Sequence, residues 1–239
     1  MSVLTLVRHG QASLLAQDYD RLSPLGERQA AALGEYWAER GIVFDRVFSG
    51  PAERHRRTAG IVTEACRRAG LAWPEPVVVQ DLDEFPGEAL TRRYLPELAA
   101  ECPRIAALER DLRAAEGRIE KARAIELLFR AFTTMWVLGE FDASEVETWD
   151  MFETRVRRGL ASVRDHGAKG SRVAVFSSAG PTAIVVQMAH GLTPQQTLEL
   201  AWLVRNSACS EFLFSGDRFS LLGFNEVPHL ADPALVTYR

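Results

Sequence analysis

The chain has 239 residues, of which 47% are hydrophobic, as in a globular protein with one large domain or one domain carrying an insertion. This composition argues against a disordered or fibrous protein. The formal net charge of −4 argues against a nucleic-acid partner, because domains that bind polyanions usually carry a basic surplus. With no secretory signal pattern and no apolar run near the ~20 residues of a membrane span, we expect a cytoplasmic protein without a membrane partner.

The first third of the chain alternates between strand and helix patterns. "VLTLV" (3–7) predicts a buried strand, residues 23–41 a helix, and "FDRVFS" (44–49) a second strand. A helix from Pro51 to about Gly70 and a strand "PVVVQ" (76–80) follow. This alternation is typical of an α/β fold with a largely parallel sheet.

The middle of the chain has no strand pattern between Glu88 and Phe141. Apolar residues recur at three- and four-residue steps from Ile105 to Ala122, which predicts one amphipathic helix. We therefore expect a helical insertion over about 86–145. A further helix is predicted over 145–166.

Strand and helix patterns return in the last third of the chain. They predict a strand over 172–177, a helix over 180–191 and a hairpin over 210–224 that turns at Ser215–Asp217. No internal repeat or low-complexity linker divides the chain. We expect one α/β domain over 1–239, with a largely parallel central sheet flanked by helices and one helical insertion.

Candidate functional residues follow the predicted strands. Arg8 and His9 follow the first strand, Arg54 lies in "SGPAERHRRTA" (49–59) after the second, and "LDEF" (82–85) and "SSAG" (177–180) follow later strands. The carboxyl ends of parallel strands meet at one edge of a sheet, where ligands bind. Two guanidinium groups, an imidazole and a carboxylate at this edge favour a pocket for a small dianion such as a phosphate group.

The same segments resemble the signatures of the histidine phosphatase superfamily, also called phosphoglycerate mutase-like. "LVRHGQA" is similar to the signature at the end of the first strand, and "SGPAERHRRTA" to the pattern S-x-P-x-x-R-x-x-x-T-A. "LSPLGERQA" (22–30), "LDEF" and "NSACSEFLF…FNEVPHL" (206–230) resemble later segments. The resemblance covers nearly the whole chain outside the insertion.

The resemblance implies a metal-independent phosphatase with no cofactor. His9 would attack phosphorus and form a phosphohistidine, and water would then release phosphate. Arg8 and Arg54 would hold the phosphoryl oxygens. Glu84 would protonate the leaving oxygen and then activate water, although its neighbours Asp81 and Asp83 compete for this role. The expected partner is a small phosphorylated substrate or inorganic phosphate, and the insertion helix is a possible homodimer interface.

One position departs from the family pattern. The family usually carries a second histidine in a segment like S-H-G-G, whereas "FSSAGP" places Ser178 there. Losing one such donor costs about 10²–10³ in rate, so we expect an attenuated enzyme that Ser178→His would speed up. Ser178 and Gln11 are candidates for lining the phosphate site. His55 stands where the family tends to have a small residue, so it is a candidate for the pocket border.

Three alternative functions stay open. A mutase is one, although "FPGEALTRRYL" lacks the substrate-binding segment expected of such mutases. A non-catalytic phospho-ligand binder is another, because of Ser178. A serine hydrolase would use Ser178, Asp217 and His229 in the chain order of that fold.

The remaining histidines, His166 and His190, each precede a glycine and are interpreted as structural residues near helix ends.

Some residue groups are predicted to serve structure only. The aromatic residues recur near helical spacing and are expected in the core: Phe129, Phe132, Trp136, Phe141, Trp149 and Phe152. The three cysteines have neither disulfide nor zinc spacing and are expected to be buried thiols: Cys66, Cys102 and Cys209.

Overall fold

The structure, a computed structural model, describes residues 1–12, 20–165, 170–215 and 218–238. Within these residues, a six-stranded sheet has the order β3-β2-β4-β1-β5-β6. The strands are β1 (Ser2–Arg8), β2 (Arg46–Ser49), β3 (Val77–Val78), β4 (Arg172–Ser177), β5 (Cys209–Ser215) and β6 (Arg218–Glu226). The helices are α1 (Pro24–Glu39), α2 (Glu53–Arg68), α3 (Gly87–Glu101), α4 (Pro103–Ala114), α5 (Gly117–Leu138), α6 (Trp149–Asp165), α7 (Ala179–His190) and α8 (Pro194–Ala201).

The sheet is mostly parallel. Strand β4 pairs in parallel with both β1 and β2, and β2 pairs in parallel with β3. The other edge is antiparallel, where β5 pairs with β1 and β6 pairs with β5. The α/β fold with a largely parallel sheet is therefore confirmed. Strands β4 and β1 are buried almost throughout because they are the two central strands.

The hydrophobic core between the sheet and helices α1 and α2 explains why these elements form. Val7 of β1, Val47 of β2 and Phe176 of β4 pack with Leu33 of α1 and Val62 of α2, all at most 3% exposed. Burying each such side chain stabilises the fold by about 1.5–3 kcal/mol. This packing fixes the ends of β1, β2 and β4, from which the candidate site residues extend.

The sequence-based boundaries fail in two places. The predicted helix over Ile105–Ala122 is wrong, because α4 ends at Ala114 and α5 begins at Gly117. Gly117 has φ +81°, which interrupts the helix, and Ile119 of the apolar pattern is 85% exposed. The strand predicted over 76–80 is only the two exposed residues Val77 and Val78.

Other outcomes concern short segments. Helix α8 was not predicted, although Thr193 and Gln196 form a capping box at its start. His166 and residues 216–217 of the predicted hairpin turn lie outside the described residues. Cys66 and Cys209 are buried thiols as expected, whereas Cys102 is half-buried.

The chain divides into two compact units. One comprises Met1–Glu84 with Glu153–Arg239 and holds the whole sheet. The other is Phe85–Phe152, a helical unit whose core contains most of the aromatic residues expected to be buried. In it, the ring of Trp136 lies 5.1 Å from that of Phe85 and 5.5 Å from that of Trp149.

In the described ranges, no helix combines the length and the apolar character needed to cross a membrane. Across the same residues, no group of three or more His, Cys, Asp or Glu side chains is arranged to hold a metal ion.

Candidate active site

The site forms where three adjacent strands end at their carboxyl termini. His9 follows β1, Gly50 follows β2 and Ser178 follows β4. Backbone hydrogen bonds hold these ends together, from His9 N to Ser177 O at 2.9 Å and from Gly50 N to Phe176 O at 2.8 Å. The sequence prediction that these segments share one edge of the sheet is confirmed.

Two glycines let β1 and α1 approach closely beside the site. A Cβ atom at Gly10 would lie 2.3 Å from Gly26 O, and one at Gly26 would lie 2.1 Å from Gln11 O. The hydroxyl of Thr58 on α2 accepts a hydrogen bond from Gly10 N at 3.1 Å and donates to Arg54 O at 2.7 Å. These contacts fix the backbone next to His9 relative to that of Arg54.

His9 is 4% exposed, and its ring has a defined tautomer. Nδ1 lies 2.6 Å from Gly10 O. Because a carbonyl oxygen only accepts, Nδ1 carries the proton and donates it, which leaves Nε2 with a lone pair. The pKa of His9 lies well below its ordinary value, first because the ring is buried, and then because Arg8, Arg54 and His55 are close. A lowered pKa favours the neutral form of the His9 ring at pH 7, and a nucleophilic role of His9 stays a prediction.

Arg54 lies in the first turn of α2, and a carboxylate orients it. Its Nη1 donates to Asp20 Oδ1 at 2.7 Å, and Asp20 Oδ2 accepts from the backbone N–H of Glu53 at 2.8 Å. The Arg54 side chain is only 11% exposed. Asp20 thus occupies the start of α2 and fixes the guanidinium near His9.

Arg8 lies beside His9 at the end of β1 and contacts the C-terminal segment. Its Nη1 donates to the carbonyl oxygens of Val204 and Tyr238, the second at 2.7 Å. The charge of Arg8 also contributes to lowering the pKa of His9. The role of Arg8 in holding phosphate stays a prediction.

A second imidazole lies next to His9. The ring centroid of His55, on α2, is 5.5 Å from that of His9, and the side chain is fully buried. Its Nε2 is 2.5 Å from Ser178 Oγ. Burial and the charge of Arg54 hold the pKa of His55 well below its ordinary value.

The three candidate acids have different surroundings. Asp81 forms two 2.6 Å hydrogen bonds with Arg158, which lower its pKa. Glu84 Oε2 accepts from the backbone N–H of Gly180 at 3.1 Å, so its carboxylate lies at the start of α7 beside Ser178. Asp83 accepts from Glu84 N at 2.9 Å, and burial raises its pKa.

One arginine on α6 holds the loop that carries these carboxylates. Arg155 Nη1 donates to the carbonyl oxygens of Asp81 and Asp83, each at 3.0 Å, and Nη2 to that of Glu84 at 3.4 Å. Three carbonyl contacts to one guanidinium fix the backbone of the loop. The three acidic side chains therefore extend from a loop backbone that Arg155 holds in place.

Two predicted residues have other contacts. The side-chain oxygen of Gln11 accepts from Ser23 Oγ at 2.9 Å, and a substrate contact of Gln11 stays a prediction. His229 Nε2 lies 2.8 Å from Ser207 Oγ. The serine hydrolase hypothesis required His229 to serve Ser178, whose described partner is instead His55, and Asp217 lies outside the described residues.

Sequence reasoning missed Asp20, Arg155 and the contact between His55 and Ser178. No motif marks Asp20, because its contact with Arg54 joins residues 34 positions apart. Arg155 and Arg158 are three residues apart and lie on one face of α6. This pair of arginines was a signal in the sequence that α6 contacts an acidic segment. The sequence also offered a signal for the contact between His55 and Ser178. His55 stands where the family tends to have a small residue, and Ser178 stands where the family usually has a histidine.

Comparison with known proteins identifies the family. A family profile described as "Histidine phosphatase superfamily (branch 1)" matches residues 4–124 and 106–227. The chain belongs to the histidine phosphatase superfamily. A broad-specificity phosphatase of Saccharomyces cerevisiae is 38% identical over 74 residues. That match spans 28% of this chain and about a third of the relative, 32% of its length.

Solved structures of several other proteins share the fold. A phosphoglycerate mutase from Bacillus anthracis str. Sterne aligns with a TM-score of 0.62 and 18% identity, over 96% of this chain and 95% of that chain. A putative alpha-ribazole-5'-P phosphatase from Escherichia coli K-12 aligns with a TM-score of 0.62 and 19% identity, over 95% and 98%. A phosphoserine phosphatase from Entamoeba histolytica aligns with a TM-score of 0.61 and 18% identity, over 96% and 100%. At these identities the alignments show the fold alone.

Proposed function

We propose that this protein is a phosphomonoester phosphatase that acts on a small phosphorylated substrate through a phosphohistidine at His9. The observation that carries the proposal is the geometry of His9, a buried imidazole whose Nδ1 is tied to Gly10 O, and burial also holds its pKa well below the ordinary value. Its Nε2 is therefore available to attack phosphorus without first losing a proton. Arg8 and Arg54 beside it supply positive charge for the phosphoryl oxygens.

In the first step, His9 Nε2 forms a bond to phosphorus while the bond from phosphorus to the leaving oxygen breaks. The Arg8 and Arg54 guanidinium groups neutralise the charge on the non-bridging oxygens, which is the main requirement of phosphoryl transfer. The electron pair of the broken bond stays on the leaving oxygen. That oxygen takes a proton from a neighbouring carboxylic acid, and the alcohol leaves.

In the second step, water attacks phosphorus, gives a proton to the same carboxylate, and displaces His9 as phosphate forms. We assign this acid and base role to Glu84. Its carboxylate lies at the start of α7 beside Ser178, whereas Asp81 is engaged by Arg158. Asp83 faces His55, with Oδ1 4.0 Å from Nδ1.

The test is hydrolysis of p-nitrophenyl phosphate by the wild type and His9→Ala, with and without EDTA. We expect turnover by the wild type that EDTA does not change, and a loss of at least about 10³-fold in His9→Ala, because removal of a nucleophile leaves only residual catalysis. Binding of orthophosphate without turnover would instead indicate a non-catalytic binder. Loss of activity with EDTA would contradict the metal-independent mechanism.

A further inference from the structure

A buried histidine beside His9, His55, has no part in the mechanism above. His55 has no exposed surface, and its ring centroid is 5.5 Å from that of His9, with an angle of 41° between the planes. Burying a polar ring costs free energy unless its nitrogens are satisfied. A histidine in such a place, on a helix turn that also carries Arg54, therefore calls for a functional explanation.

The two nitrogens of this ring have different surroundings. Nε2 lies 2.5 Å from the hydroxyl oxygen of Ser178. Nδ1 is buried without a hydrogen-bond partner in the described part of the chain, and the nearest acidic oxygen, Asp83 Oδ1, is 4.0 Å away. Most buried polar atoms in folded proteins have a hydrogen-bond partner, so an unsatisfied one needs an explanation.

The backbone leaves space for this imidazole. A Cβ atom at Gly50 would lie 2.4 Å from His55 Nδ1 and 2.7 Å from Leu82 O. Ser178, at 1% exposed, is small enough for the ring to reach its hydroxyl. One imidazole thus fills a closed volume between the ends of β2 and β4, directly beside His9.

We propose that His55 and Ser178 act as one unit that positions the phosphoryl group at His9, with the imidazole supplied from α2 and oriented by the Ser178 hydroxyl. This inference rests on the proposed function. His55 is a positioning residue, which acts through Ser178 and through its contact with His9. The site then contains a second imidazole although position 178 is a serine. The serine at this position therefore does not imply an attenuated enzyme.

This arrangement reverses an expectation from the sequence. From the sequence alone, Ser178→His should restore a missing donor and speed the enzyme. In the structure, the side chain of a histidine at 178 would enter the volume that His55 fills, and overpacking a closed volume displaces its neighbours. We expect Ser178→His alone to lower kcat, and the double variant His55→Ala, Ser178→His to recover most of it.

The experiment measures kcat and KM for p-nitrophenyl phosphate across pH 5–8 in a set of variants. His55→Phe keeps a ring in the volume but removes both nitrogens, and His55→Gln keeps a group able to bond Ser178. Ser178→Ala removes the hydroxyl alone. The matched control is Arg56→Ala, which changes the next residue of α2, an exposed one. Circular dichroism and thermal melting establish that each variant is folded.

The inference predicts that His55→Phe lowers kcat by about 10²-fold, with a smaller change in KM, while Arg56→Ala stays within about twofold. His55→Gln should retain more activity than His55→Phe, and adding Ser178→Ala to His55→Phe should cost little more, because the two residues act as a unit.

Wild-type kcat in a folded His55→Phe variant would overturn the inference and leave the proposed function intact. A gain of activity in Ser178→His alone would also overturn the inference and leave the proposed function intact. If the wild type itself shows no more activity than His9→Ala, the proposed function fails and the inference fails with it. These outcomes are distinguished by the wild-type assay that accompanies every variant.

Discussion

The Asp20 carboxylate accepts hydrogen bonds from the Arg54 guanidinium at 2.7 Å and from the backbone N–H groups of Glu53 and Arg54 at 2.8 and 3.4 Å, all at the start of α2. Helix α2 has Ala52 at its N-cap position, which offers no side chain to satisfy the first N–H groups. Asp20, from a distant part of the sequence, takes that place. The Asp20 side chain therefore both caps α2 and orients Arg54, which is predicted to bind the phosphate group.

Replacing Asp20 should affect stability and phosphate affinity together. We expect Asp20→Ala to lower the free energy of unfolding by about 1 kcal/mol, the usual cost of losing a helix cap, as measured by urea denaturation. We also expect a higher inhibition constant for orthophosphate, because Arg54 loses its orientation. Glu53→Gln, which removes only the exposed pair of Glu53 with Arg21, is the control. An unchanged inhibition constant in Asp20→Ala would contradict this role.

The choice among the three acids can be tested with leaving groups. A general acid matters more for an alkoxide, which needs a proton, than for p-nitrophenolate, which leaves without one. We expect Glu84→Gln to slow hydrolysis of an alkyl phosphate at least about tenfold more than hydrolysis of p-nitrophenyl phosphate. Asp81→Asn should slow both substrates equally or not at all. If Asp83→Asn, rather than Glu84→Gln, shows the leaving-group dependence, Asp83 is the acid.

Buried neutral histidines should make the protein sensitive to acid. The pKa values of His9 and His55 lie well below the ordinary value, and burial lowers that of His229 to about 4. Below pH ~6.5 the unfolded chain binds protons that the folded chain does not, so stability falls as pH falls. Each such histidine contributes about 1.4 kcal/mol per pH unit between its two pKa values.

The contribution of one histidine can be isolated by substitution. We expect His229→Gln to reduce the loss of unfolding free energy between pH 6.5 and 4.5 relative to wild type, because one proton uptake disappears. His190→Gln, which alters an exposed histidine, is the substitution control. Equal slopes for wild type and His229→Gln would show that His229 does not titrate on unfolding.

Two glycines should respond in opposite ways to alanine. A Cβ atom at Gly10 would meet the Gly26 carbonyl at 2.3 Å, a contact between backbones that cannot relax locally. We expect Gly10→Ala to lower the melting temperature by several degrees or prevent folding. Gly60, within α2, has open space around a Cβ atom, and Gly60→Ala should stabilise by about 0.5–1 kcal/mol. Thermal melting checks both, and a stable Gly10→Ala would contradict the close packing of β1 and α1.

The features that the sequence predicted well are local. The run "VLTLV" and its polar successors placed β1 and His9, since a short apolar run followed by charged residues marks a buried strand and its end. The edge shared by His9, Arg54 and Glu84 followed from the parallel topology alone. These inferences needed only the order of residues along the chain.

The features that were missed depend on contacts between distant segments. The contact of His55 with Ser178 joins residues 123 positions apart, and no periodicity reports it. The apolar periodicity from Ile105 to Ala122 wrongly predicted one helix, because an apolar repeat can continue with helical spacing across a break at Gly117. Contacts of Gln11 and Arg8 with substrate, and association of two copies of the chain, remain predictions from the sequence.

The central claim is that His9 carries the phosphoryl group during turnover. The most direct measurement is rapid acid-free quenching with a ³²P-labelled phosphomonoester, followed by peptide mapping of the labelled protein. We predict a label on the peptide that contains His9, stable in alkali, labile in acid and absent from His9→Ala. Phosphate release by the wild type with no covalent label, or an equal label in His9→Ala, would contradict it.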